Sequence, residues 1–279
     1  MLSHPFMVRA FEAGSVIAVA CGLIGYFVVL RAQVFAGDAL SHVAFTAALA
    51  ALAAGLDLRL GLFAGCALFG AAIAVIGPRG RADDVVIGNA FAWILGLGAL
   101  SLTLYTTSSS NGVAGVNVLF GSIFGLSRSQ AGLATAIGAG VVVAAVVIAP
   151  PLLFASVDGS VAAAAGIPVR LLGVIFLALV GVTAGEATQA VGSLLLLGLL
   201  AGPAGAAHKL TDRPWLGLLL SAGQAVLSLW AGLILSYNSP RLPPSFSILA
   251  VSTGLYVLSH IRPIRVPKAH RNSVAFTRK

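Results

Sequence analysis

The sequence predicts an all-α protein that lies almost entirely within a membrane, and three observations carry that prediction. Charge is sparse: 9% of the 279 residues are Asp, Glu, Lys or Arg and 59% are hydrophobic, with a mean hydropathy of +1.03. Water-soluble domains expose more charge than this. Apolar runs recur from near the start to about residue 262, and about 20 apolar residues of helix cross the roughly 30 Å hydrocarbon layer. The basic residues are unevenly shared among the short connections, as in proteins oriented by positive charge on the cytoplasmic side. The net charge of +8 therefore needs no nucleic-acid partner. The expected organisation is one transmembrane domain over 1–262 and a basic tail over 263–279, with no separate soluble domain.

Nine apolar segments can be marked: 13–30, 32–56, 60–77, 85–105, 130–155, 170–187, 190–208, 214–236 and 246–261. Arg9 and Glu12 precede the first, and no small-x-small cleavage site leads into a soluble chain, so it is read as a retained helix. If all nine span, one side collects Arg31, Arg79, Arg81, Arg170, Lys209, Arg213 and the six basic residues from Arg262 to Lys279, twelve in all. The other side has Arg9, Arg59, Arg128 and Arg241, which makes four. The bias predicts an external N-terminus and a cytoplasmic C-terminus. Residues 106–129 open with TTSSSNG and are short for a crossing, so they read as an interfacial or re-entrant piece, and an eight-span arrangement stays open. Glycine pairs at four-residue spacing, Gly61/Gly65, Gly121/Gly125, Gly181/Gly185 and Gly198/Gly202, suit helices that pack closely in lipid. Cys21 and Cys66 fall in apolar runs and read as small hydrophobes. His208 and Lys209 read as cations at a helix end.

The second segment carries the chemistry. Asp38 and His42 are one helical turn apart, so both side chains leave one face. In a helix starting at Arg31 they lie roughly 10 and 16 Å from its end, deep in the hydrocarbon layer. Ionisable groups at such depth face a partner or a water-filled path. A carboxylate and an imidazole so placed can also ligate one divalent metal, for which protons compete, so uptake is expected to fall in acid. Glu186, near the end of the sixth segment, reads either as a solvated helix end or as a charged lip at the outer mouth of a cation path. The connection over 155–170 has an Ala-rich centre that favours a short helix, with Gly166 and Pro168 as its stop. It is either an ordinary connector or a docking helix for a cytoplasmic partner. No G-x-x-x-x-G-K-[ST], H-E-x-x-H or G-x-S-x-G motif is present, so nucleotide hydrolysis by this chain and the hydrolase chemistries those motifs support are not expected.

GDALSHVAF (37–45) resembles the GDALSHA signature of the permease subunits of bacterial ABC importers for zinc, manganese and iron. AVGSLLLLGLLAGPAGAAHKLTDR (190–213) resembles that family's AVGxLLVxALLVTPAAxAxLLTDR, and PFMVRAFEAGSVIAVACGLIGYFVVLR (5–31) its PFMxRALLAGLLVGLxCGLLGxFLVLR. The likeness runs in register to PSFSILAVSTGLYVLS near the end. It implies a vitamin B12-importer-like (type II) permease of eight or nine helices in the bacterial inner membrane, working as a homodimer with no permanently bound cofactor. Two cytoplasmic ATPases and an extracellular or periplasmic metal-binding protein are the implied partners. Carried over by position, Asp38 and His42 become the metal-contacting pair. The coupling helix for the ATPase becomes Val157 to Gly166, with Asp158 and Gly166 retained and Pro168 following. The coupling loop reads VDGSVAAAAG where the family often has FDPEFARALG, and GPAG replaces TPAA. Which metal is carried stays open, since His suits Zn²⁺ and Asp suits Mn²⁺ or Fe²⁺. Two other readings stay open as well: a proton-coupled secondary carrier of a metal or small solute, and a structural membrane protein.

Overall fold

The computed structural model describes residues 5–77, 84–108, 121–193, 196–239 and 241–261. Ten α-helices follow in order: α1 Pro5–Leu30, α2 Val34–Ala53, α3 Leu58–Ile76, α4 Asp84–Ser108, α5 Arg128–Val157, α6 Gly159–Ala164, α7 Val169–Val191, α8 Leu196–Leu210, α9 Pro214–Asn238 and α10 Pro244–Ile261. A 3₁₀ turn, Ile123–Gly125, precedes α5, and the described residues contain no strand. The stretch expected to be interfacial lies partly outside the described residues, at 109–120, as does the basic tail.

Eight of these helices are long and apolar enough to cross a membrane. The expected seventh span differs. Gly192, at φ 89°, ends α7, and α8 begins at Leu196 with 15 residues, about 22 Å of helix and short of a full crossing. Neighbouring helices bury α8 at Leu196, Leu199, Leu200, Pro203, Ala204, Ala206 and Ala207, which satisfies a short helix that lipid alone would not. The first helix begins at Pro5, eight positions before the apolar run at 13, and its apolar first turn packs on the bundle: Phe6 meets Phe124 edge-on and Met7 is buried.

The helices form two groups. α1 is the centre of one, packed against α5, α8 and α9, with α10 lying against α8 and α9; the other sets α2 against α3, α4 and α7. Close approach is made by glycine. A Cβ on Gly25 would strike the Leu200 carbonyl, one on Gly70 the Leu177 carbonyl, and one on Gly181 the Cys66 carbonyl. Gly61 and Gly65 face Ala47 of α2, while Gly198 and Gly202 face Leu249 and Ser252 of α10, as their spacing suggests. Gly121 and Gly125 are the exception: Gly121 lies just before the 3₁₀ turn, at φ 71°, and Gly125 is the last residue of that turn. Pro150 and Pro151 lie inside α5, where each removes a backbone donor that the carbonyl four residues earlier would accept.

Candidate metal path and coupling face

α2 is wrapped on most sides, and its buried set includes Ala36, Gly37, Ala39, Leu40, Ser41, Val43 and Ala44. The stripe left less than fully buried runs Phe35, Asp38, His42, Phe45. Helical periodicity puts these four on one face. This face looks toward α4, where Phe91 meets His42 edge-on at 5.1 Å between ring centroids and Phe35 at 5.9 Å. α2 is anchored on both flanks of the stripe: the Thr46 hydroxyl donates to the Ile94 carbonyl at 3.0 Å, and the Cys66 thiol donates to the Leu40 carbonyl at 3.6 Å. Gly37 lets Leu200 of α8 approach, since a Cβ there would lie 2.9 Å from its Cδ2. The two residues that the sequence singled out are thus half-buried on one stripe, beside an aromatic wall. Among the described residues no cluster of three His, Cys, Asp or Glu could hold a metal.

Glu186 is not the solvated helix end of the first expectation. It is 2% exposed, and neither carboxyl oxygen has a hydrogen-bond partner among the described residues. α7 continues past it to Val191. The 3₁₀ segment is tied over that end by a bond from the Ser122 N–H to the Gln189 carbonyl, 3.1 Å. Thr188 and Gln189 line a cavity of about 220 Å³ there, together with Leu58, Leu62, Ser122 and Gln130.

At the opposite end, α6 occupies the Ala-rich connection. Asp158 caps its start, accepting from the Ser160 N–H at 2.9 Å, the Ser160 hydroxyl at 2.6 Å and the Val161 N–H at 3.0 Å. The Ser160 hydroxyl, then the two backbone donors, hold the Asp158 carboxyl below its ordinary pKa. The stop is a Schellman motif: Ile167 N–H bonds the Ala162 carbonyl and Gly166 N–H the Ala163 carbonyl, each at 3.0 Å. It needs Gly166 at φ 84°. Pro168 then precedes α7. Val157 and Val161 are 81% and 51% exposed, and α6, the end of α3 and the start of α7 bound a groove of about 1310 Å³ lined by Val75, Ile76, Ala163 and Val174.

Sequence reasoning missed Arg31, which it placed among the loop charges. The structure buries it to 5% exposure, with its guanidinium 5.4 Å from the Phe176 ring centroid. The signal available was its position between two apolar segments with no polar loop around it. His208 is structural as read, its ring stacked on Tyr26 at 4.2 Å.

Comparison with known proteins agrees with this arrangement. The profile of the ABC 3 transport family matches residues 3–262. The manganese transport system membrane protein MntC of Halalkalibacterium halodurans is 29% identical over 260 residues, covering 93% of this chain and 88% of that one. The manganese import system permease protein ScaB of Streptococcus pneumoniae is 27% identical over 277 residues, 98% of this chain and 95% of its own. Among solved structures, PsaBC from Streptococcus pneumoniae in complex with Fab superposes with a TM-score of 0.79 at 25% identity, covering 92% of this chain and 91% of that chain. An all-helical bundle of this length, with the signature residues inside it and a family match over nearly its whole length, has one reading: the chain is a multi-pass membrane permease of the ABC 3 transport family.

Proposed function

We propose that this chain is the permease of an ABC importer that passes a divalent transition metal into the cytoplasm, manganese before zinc or iron, driven by ATP hydrolysis on partner subunits. The observation that carries the reading is the pairing of Asp38 and His42 on the half-buried stripe of α2. Two ligands are too few to hold a metal, but a two-fold dimer supplies two carboxylates and two imidazoles around its axis. A set assembled between copies holds an ion weakly enough to pass it on, as ion paths require. The curated relatives named for manganese favour that cargo. In this reading α6 faces the cytoplasm and docks the ATPase through Val157 and Val161, and a metal-binding protein delivers the ion at the other end.

The test is ATP-driven uptake of Mn²⁺ and Zn²⁺ into proteoliposomes holding the permease with its ATPase and binding protein. The double variant Asp38→Ala/His42→Ala should assemble with the ATPase and transport neither ion. Equal uptake by both forms would make the pair structural and refute the assignment. The buried, unpartnered carboxyl of Glu186 favours a second reading, a proton-coupled carrier. Uptake that follows an imposed pH gradient without the ATPase would establish it instead.

A further inference from the structure

Arg31 stands where the two helix groups meet. It ends α1, and its side chain reaches one residue in each of three other elements. Its Nε donates to Oε1 of Gln33, at the start of α2, at 3.2 Å. Its Nη1 donates to Oγ of Ser156, in the last turn of α5, at 3.4 Å. Its guanidinium carbon lies 5.4 Å from the ring centroid of Phe176 on α7. A buried guanidinium is retained where its planar fork fixes several partners at once. Of the helices so joined, α7 packs against both α2 and α5, whereas α2 and α5 make little direct contact with each other.

The backbone around Arg31 makes a tight corner. Ala32 sits at φ 55°, in the left-handed region that side chains rarely adopt, and Gln33 N–H folds back on the Val28 carbonyl at 2.8 Å. Gln33 is 3% exposed, yet its Nε2 has no partner among the described residues. A buried amide donor left unpaired is costly, and an alternative arrangement of the corner would pair it. On the other arm, Ser156 lies beyond Pro150 and Pro151 in α5, so the last turn of that helix has lost two of the bonds that would tie it rigidly to the rest. Asp158, two residues after Ser156, caps α6. Asp38 lies five residues after Gln33.

We propose that Arg31 is the positioning residue that couples α6 to the metal stripe of α2: displacement of α6 moves the end of α5, Arg31 carries that movement to Gln33, and the start of α2 turns Asp38 and His42. The inference rests on the importer reading above.

The experiment measures Mn²⁺ moved per ATP hydrolysed by the full complex in proteoliposomes, alongside the yield of assembled complex. Arg31→Met, which keeps bulk and removes the fork, should lower that ratio by about tenfold, within the range of measured coupling between sites. Ser156→Ala, which removes only the α5 arm, should lower it a few-fold. Arg31→Lys keeps the charge but not the fork and should also fall. If Arg31→Met fails to assemble, the other two variants decide. A ratio equal to wild type in both overturns the inference, as does transport that falls only in proportion to ATP hydrolysis and assembly. A wild-type complex that hydrolyses ATP and moves none of Mn²⁺, Zn²⁺ and Fe²⁺ overturns the importer reading and this inference with it.

Discussion

Replacing Gly22 by alanine should separate α1 from α9 at the centre of the first helix group. A Cβ on Gly22 would lie 2.6 Å from the Cα of Ala222 and 2.8 Å from both its nitrogen and the Ser221 carbonyl oxygen, where ordinary contact is 3.4–4 Å. The obstacles are backbone atoms and cannot rotate away, so the helices must part by roughly 1 Å, at a cost of about 1–3 kcal/mol. The same movement stretches the buried bond from the Ser221 hydroxyl to the Gly22 carbonyl, 2.6 Å in the wild type, worth about 0.6–1 kcal/mol between membrane helices. Against this, alanine gains up to about 1 kcal/mol of helix propensity. The net loss is about 1–3 kcal/mol. Gly140→Ala on α5 is the control: nothing lies within 4 Å of its Cβ, so only the propensity gain of up to about 1 kcal/mol remains. Thermal unfolding of the purified protein in detergent should put Gly22→Ala several degrees below wild type and Gly140→Ala level with it or above. Equal midpoints for the two variants would refute the argument that backbone contact at Gly22 sets this spacing.

Three further outcomes can be checked. Thr46→Val removes the α2 to α4 bond beneath His42 and should cost about 1 kcal/mol or less in unfolding while lowering metal uptake, because Phe91 is no longer held against the imidazole; uptake at the wild-type rate counts against that role. Ala32→Gly relieves a left-handed backbone and should stabilise the fold by up to about 1 kcal/mol, read as a higher unfolding midpoint. The lowered pKa of Asp158 means that its contribution to the start of α6 is fully present above its ordinary value of 3.8. That contribution is lost only as pH falls through the lower folded value, so ATPase binding should show no Asp158-dependent change between about pH 5 and 8. Asp158→Asn, assayed by ATPase co-purification, should weaken binding at every pH in that window by a constant factor.

Much of the fold was legible because a bilayer imposes a length and an apolar composition on each crossing, and both are properties of a linear sequence. The same constraint made Asp38 and His42 stand out, since charge inside an apolar run has few bland explanations, and helical periodicity alone put them on one face. The short helix in the 155–170 connection was equally local: Asp158, an Ala run and Gly166 are caps and propensity. Where a segment answers to its neighbours instead of to lipid, the linear signal fails. The apolar run over 190–208 looked like a span, but Gly192 breaks it and packing against α1 and α10 supports the 15-residue α8 that remains. Glu186 could be read as a solvated helix end because it sits near the end of an apolar run; α7 extends past it and the segment at Ser122 covers that end, leaving it buried. Arg31 looked like a loop charge. Only the convergence of Gln33, Ser156 and Phe176, the last two more than a hundred residues away in sequence, makes it a buried junction. Length, polarity and period are written along the chain, so the sequence alone determined a membrane bundle with one acid–imidazole pair inside it. Which charges are sealed, and which helices they join, depends on contacts between distant segments, and only the tertiary structure decided that.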